Sequence, residues 1–195
     1  MSFEIKEMNA GGIDPIAVGS YPVRVQCIAM YGMQPMTEWD TGAPKAPEKR
    51  MAITYEFPTE TIERTNDDGT VSVLPRRLTK EYKVSQHKKA GLMGVISVLK
   101  PDAVRITDLL DCAGSVTVGR TSGGKAKVTN VSPIMKGMDV APLMEGSNSF
   151  DIDNPEEGAF KRLMPFQQEM MTKCLDYDGF ADEWLPKKEE DNSDY

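Results

Sequence analysis

One histidine, His87, and three widely spaced cysteines, Cys27, Cys112 and Cys174, already exclude much. A His-rich metal site is impossible, and any Ser-His or Cys-His machinery would have to use His87. An odd, scattered cysteine set is not a disulfide framework, and no two cysteines share metal-ligand spacing. A reducing compartment, the cytoplasm, is the expectation. No run approaches the roughly 18 apolar residues of a membrane-spanning helix. The opening Met1-Ser2-Phe3-Glu4-Ile5-Lys6-Glu7 has no basic start leading into an apolar core, so no secretory signal is expected. What remains is an ordinary soluble composition, 39% hydrophobic and 27% charged, over 195 residues. That length predicts one domain with a sizeable core and an appendage.

Charge is the informative quantity. The net of -7 is unevenly placed: residues 145–195 carry 14 acids against 5 bases, while residues 1–144 are slightly basic. Within the body, residues 76–136 hold 12 bases and only four acids. A basic middle and an acidic end point to a nucleic-acid surface with an acidic tail. A solvated basic face with a solubilising tail is the competing reading.

Alternation predicts strands. Val23, Val25, Cys27 and Ala29 share one parity over residues 21–30, and Met51, Ile53, Tyr55 and Phe57 share one over 50–57. Residues 32–48, with three prolines and Trp39, read as a long loop. Asn66-Asp67-Asp68-Gly69 is a turn. A third strand region covers 71–84 and is broken at Pro75. Ser85 then caps a helix over 86–99, with Leu92, Val95, Ile96 and Leu99 in one stripe and His87, Lys88 and Lys89 on its first turn. Strands follow at 112–120 and 125–134 around Ser122-Gly123-Gly124. Residues 136–158 read as linker, and a last helix lies within 159–177. The predicted units are an N-terminal arm (1–19), a barrel domain (20–136), a linker with a C-terminal helix packed on the barrel (137–181) and an acidic disordered tail (182–195).

Three strands, a helix, then two strands is the order of an OB-fold, a five-stranded Greek-key barrel that binds oligonucleotides across its second and third strands. The expected fold class is therefore mainly β, with a helix between strands 3 and 4. The chain also resembles bacteriophage single-stranded-DNA-binding proteins of the OB-fold, helix-destabilising kind. The segments that carry the resemblance are Gly19-Ser20-Tyr21-Pro22-Val23-Arg24-Val25, Arg50-Met51-Ala52-Ile53-Thr54-Tyr55-Glu56-Phe57 and Lys83-Val84-Ser85-Gln86-His87-Lys88-Lys89-Ala90-Gly91-Leu92. Cys112-Ala113-Gly114-Ser115-Val116-Thr117-Val118 and Phe150-Asp151-Ile152-Asp153-Asn154-Pro155 complete them. The resemblance implies sequence-tolerant single-strand binding in phage replication or recombination, and an acidic tail that touches replication partners. Tails of that kind are often longer and more uniformly acidic. This one contains Lys187 and Lys188 but ends in Asp194-Tyr195.

Single-strand binding needs cations for phosphates and aromatic faces for bases. The candidate nucleic-acid residues are Tyr31, Trp39, Arg50, Tyr55, Arg76, Arg77, Lys80, Tyr82, Lys83, Lys88, Lys89, Arg120, Lys125 and Lys127. For each of the four aromatics, packing within the protein competes with stacking. The candidate partner-binding tail residues are Glu189, Glu190, Asp191, Asp194 and Tyr195. No cofactor, metal or catalytic set is expected. Asp151 and Asp153 lack the Gly and bidentate Glu of a calcium loop, and Gly119–Lys125 lacks phosphate-loop spacing. A monomer or homodimer is expected. The class alternative is a protein-interaction or virion structural β-module without DNA binding. Deleting residues 182–195 is expected to tighten single-strand binding at low salt, because the tail competes with DNA for the basic surface; a titration of both proteins checks this.

Overall fold

The computed structural model describes residues 14–38, 40–66 and 68–185. Its strands are β1 (Gly19–Thr37), β2 (Pro44–Thr65), β3 (Val71–Lys83), β4 (Ala113–Arg120), β5 (Ala126–Ser132) and β6 (Asn148–Asp151). Helix α1 (Gly91–Leu99) and a 3-10 turn (Ile106–Leu109) separate β3 from β4, and α2 (Glu157–Lys161) and α3 (Pro165–Thr172) follow β6. The strands form one open, mainly antiparallel sheet in the order β3-β2-β1-β4-β5, with β6 pairing parallel to β1. No helix among the described residues is long and apolar enough to cross a membrane.

β1 is the centre. A register shift between Val25 and Cys27 leaves Gln26 as an extra residue. Val23 and Val25 face one core and Ile28 joins them, whereas Cys27, Ala29 and Tyr31 face the other. The single parity expected from Val23 to Ala29 is therefore corrected: the bulge moves Cys27 and Ala29 to the opposite side. At the same point β1 changes neighbour, from β4 (paired up to Arg24) to β6 (paired from Cys27).

The first core joins Val23, Val25, Ile28, Met51, Ile53, Tyr55 and Phe57 with Val116, Val118 and Val128, closed by Leu92 and Val95 of α1. Each fully buried side chain of this size contributes about 1.5–3 kcal/mol. The second core sets Cys27, Ala29, Tyr31 and Ala52 under Phe150, Phe160, Leu163 and Met171. Phe180 meets Phe160 edge to face at 5.9 Å, and Trp184 packs tilted against it at 5.7 Å. The acidic end thus begins as packed structure through Leu185, and a tail truncation that spares this core starts after that residue.

Other expectations change for local reasons. Residues 32–48 are mostly strand: β1 and β2 continue as a hairpin to the Thr37–Pro44 pair. Pro47 falls in a ladder irregularity, where its missing N–H costs nothing. β3 passes unbroken through Pro75, which lies opposite Thr61 beside a second irregularity. The helix begins at Gly91 rather than at residue 86. Ser85 caps no helix; its Oγ accepts from the His87 N–H, and Ala90 N–H donates to the His87 carbonyl, closing a turn. Lys88 and Lys89 therefore sit in a loop. Within 136–158, β6 forms, and the single last helix is two short ones, with Pro165 opening α3 at its first turn.

Arg24 ties these parts together. Its guanidinium donates to the carbonyls of Asp111, Val140 and Ala141 at 2.6–2.9 Å, pinning the 136–147 segment to β1. Glu56 anchors the same segment from β2. Its side chain is fully buried; Oε2 accepts from Arg77 at 2.9 and 3.0 Å, and Oε1 accepts from the Met144 N–H at 2.7 Å. Removing one partner of a fully buried pair costs about 3–5 kcal/mol. Arg77 keeps Glu145 at 2.7 Å, so the loss here is smaller. Glu56→Gln is expected to lower stability by about 2–3 kcal/mol in urea unfolding.

Candidate nucleic-acid interface

Alternation along β2 and β3 divides the candidate residues between two faces. Met51, Ile53, Tyr55 and Phe57 point inward, and their neighbours Arg50, Thr54 and Glu56 point outward, Arg50 diagonal to Glu81 and the other two opposite Thr79 and Arg77. This outer face is internally neutralised. Arg50 lies 3.5 Å from Glu48 and 3.3 Å from Glu81, Lys83 lies 3.0 Å from Glu48, and Arg77 is held by Glu56 and Glu145. The Lys83 contact holds the Glu48 carboxyl below the usual range. The C-terminal segment also covers part of the face, since Gln167 of α3 reaches the Thr54 hydroxyl at 3.4 Å.

The aromatic candidates are placed against stacking. Tyr31 and Tyr55 are fully buried, Tyr31 in the second core and Tyr55 in the first. Burial pushes both phenols well above their usual range. Neither ring has a face to offer a base, and both assignments are corrected on that ground. Their parity put them on the packed side, and the bulge in β1 decided it for Tyr31. Tyr82 is 6% exposed and pairs its hydroxyl with that of Tyr55 at 3.2 Å. Its ring lines a groove but is mostly core. Trp39 lies outside the described residues, as do Glu189, Glu190, Asp191, Asp194 and Tyr195.

The unneutralised cations gather elsewhere, where the sheet's two end strands approach each other. β3 and β5 share no backbone ladder; instead the Lys80 Nζ donates to the Thr129 carbonyl at 3.2 Å, 5.6 Å above the Tyr82 ring. On one side of this crossing, a groove of about 870 Å³ runs between β3, α1 and β5, lined by Lys80, Glu81, the Glu48-paired Lys83, His87 and Lys89 facing Thr129 and Asn130. On the other side, a depression of about 630 Å³ is lined by Lys80 and Lys127 together with Glu81. Further along, the exposed Lys125 at the β4–β5 turn borders a third hollow of about 780 Å³ with Arg76, Arg77, Leu74 and Ile62. Among the described residues, Lys80, Lys88, Lys89, Lys125 and Lys127 form no ion pair with a carboxylate. Among the described residues, Arg76 donates to the Asp14 carbonyl and Arg120 keeps a buried Nη1 without a partner.

Sequence reading thus found the cations but not their sorting. It missed the far wall, Thr129 and Asn130, and the role of Gly91 and Gly94. Both glycines lie on the groove side of α1, and a Cβ at Gly94 would meet nothing within 4 Å. Packing does not demand glycine at Gly94, and a mid-helix glycine costs about 0.5–1 kcal/mol relative to alanine. The small residue keeps that wall of the groove low. Comparison with protein-family models, curated proteins and solved structures finds no match to this chain.

Electrostatics mark Lys80 as the group that would gain from an anion. Partial burial, then repulsion from Lys127, hold its pKa below the usual lysine range. Lys127→Ala removes the repulsion, so the Lys80 ammonium is expected to titrate at higher pH in that variant; NMR titration of the lysine side chains reads the shift.

Proposed function

We propose that this chain binds single-stranded DNA without sequence preference, in phage DNA replication or recombination, on an OB-fold-like barrel. The single observation that carries the reading is the run of cations without carboxylate partners among the described residues, Lys125, Lys127, Lys80 and Lys89, along the β3–β5 seam. The strand order, with β3 and β5 brought together at the sheet's ends and α1 beside them, supports the barrel. Phosphates laid along the seam would meet ammonium groups that form no ion pair with a carboxylate among the described residues. Binding would be led by the backbone, since the described aromatics are largely buried. A phosphate beside Lys80 would offset the burial and the Lys127 repulsion that disfavour its charge. The acidic tail would compete for the same seam and recruit replication or recombination proteins.

A second reading rests on a specific observation: the outer face of β2 and β3, where an OB-fold lays its ligand, is neutralised by Glu48, Glu56, Glu81 and Glu145. This favours an interaction module whose charges only solubilise. Fluorescence anisotropy of labelled oligo-dT against a duplex of equal length, at two salt concentrations, separates the two. Salt-sensitive binding to the single strand alone is expected. Lys80→Ala with Lys127→Ala should weaken it and lower the salt slope by about 1.4, at about 0.7 for each phosphate no longer neutralised. No binding by the full or tail-truncated chain would leave the interaction module standing.

A further inference from the structure

The β2–β3 ribbon outruns the sheet. β2 residues beyond Glu56 have no partner in β1, while pairing with β3 continues to Thr65–Val71. Among the described residues, the ribbon therefore has two free edges of different character. The β2 edge carries Glu60, Glu63 and Arg64, the charges that guard an edge against pairing. The β3 edge, Thr70-Val71-Ser72-Val73-Leu74, carries none. Val71 and Val73 are 59% and 51% exposed.

The hydrogen-bond phase of this edge can be read from its turn. Asn66 N–H donates to the Thr70 carbonyl at 2.8 Å, Gly69 N–H donates to the Asn66 carbonyl at 2.9 Å, and Gly69 has φ +81. This is a three-residue loop closed by the Asn66–Thr70 pair. Bonded and non-bonded pairs alternate along an antiparallel ladder. Arg64–Ser72 and Ile62–Leu74 are then the bonded pairs. Thr65–Val71, Glu63–Val73 and Thr61–Pro75 are the non-bonded ones. Val71 and Val73 turn their N–H and C=O groups to the free edge. Pro75 also faces outward, so its lack of an N–H leaves the β2 ladder intact.

We propose that this edge is a self-association site at which two copies pair antiparallel about a two-fold axis through Ser72. In that register Val71 of one copy faces Val73 of the other and the two exchange both backbone bonds; symmetry makes four. The valines project from one face of the ribbon, so four exposed side chains become two cross-strand apolar pairs. The same register sets the turn that carries Asp68 beside the end of the second copy's strand that carries Arg76, and Arg76 has no carboxylate partner among the described residues. Pro75 falls opposite Gly69 of the second copy and ends the pairing. Moving the axis to Val73 would set Pro75 against Val71 and forfeit a bond in each half. The contact is isologous and short, so the dimer is a concentration-dependent one.

Sedimentation velocity of the full chain without DNA, over a concentration series, tests the proposal. A monomer–dimer equilibrium is expected. Val73→Pro removes one outward N–H per copy and spares the β2 ladder; it should weaken the dimer at least about tenfold. Thr65→Pro, at the matching position on the guarded edge, should leave the dimer unchanged. As a second measurement, Ser72→Cys in a Cys112→Ser background should give a covalent dimer with a short bis-maleimide, and Thr65→Cys in that background should not. Cys27 and Cys174 are buried and do not compete. A chain that stays monomeric, a dimer indifferent to Val73→Pro, or a dimer that Ser72→Cys fails to capture overturns the proposal.

Discussion

The extra residue at Gln26 is the constraint on which the architecture depends. A regular strand presents its apolar residues to one face only, and a one-residue insertion turns every later side chain over. In β1 this lets a single strand feed two cores. Val23 and Val25 face the first core, with Ile28 joining them after the bulge, while Cys27, Ala29 and Tyr31 build the second. The insertion also falls where β1 exchanges β4 for β6 as its neighbour. Without it, Ile28 and Met30 rather than Cys27, Ala29 and Tyr31 would face Phe150, Phe160 and Met171.

The second core shapes the electrostatics. Once 140–185 lies over the outer side of the sheet, Glu145 reaches Arg77 and the Met144 N–H reaches Glu56. Buried or half-buried ions need partners because desolvation is costly. The outer face of β2 and β3 meets that need internally. The cations left over lie along the β3–β5 seam, where Lys80 spans two strands that share no backbone ladder. Stability and candidate function are thus separated in space. Carboxylate-paired arginines hold the C-terminal segment to the sheet, and lysines without such partners among the described residues line the seam.

The β2–β3 ribbon follows the same logic of local compensation. Its β2 edge is charged, and its β3 edge is apolar with an outward-facing Pro75 that costs the ladder nothing. The two edges differ in what they can accept, although one hairpin makes both.

Local patterns carried the strand order, the α1 stripe of Leu92, Val95, Ile96 and Leu99, the turn at Gly69 and the concentration of bases in the middle of the chain. These are legible because period, turn chemistry and charge are properties of neighbouring residues. The parity flip in β1, the strand continuing through Pro75 and the burial of Tyr31 and Tyr55 were not. Each depends on which residue lies opposite in the sheet, and a bulge leaves no mark in composition. Nor could the sequence separate Arg50, Arg77 and Lys83, which have carboxylate partners, from Lys80 and Lys127, which have none among the described residues. By itself the sequence determined the elements and the charge they carry. Only the tertiary structure decided which charges are cancelled, because cancellation requires carboxylates as distant as Glu145 to come within about 4 Å of their partners, where Coulomb attraction outweighs hydration.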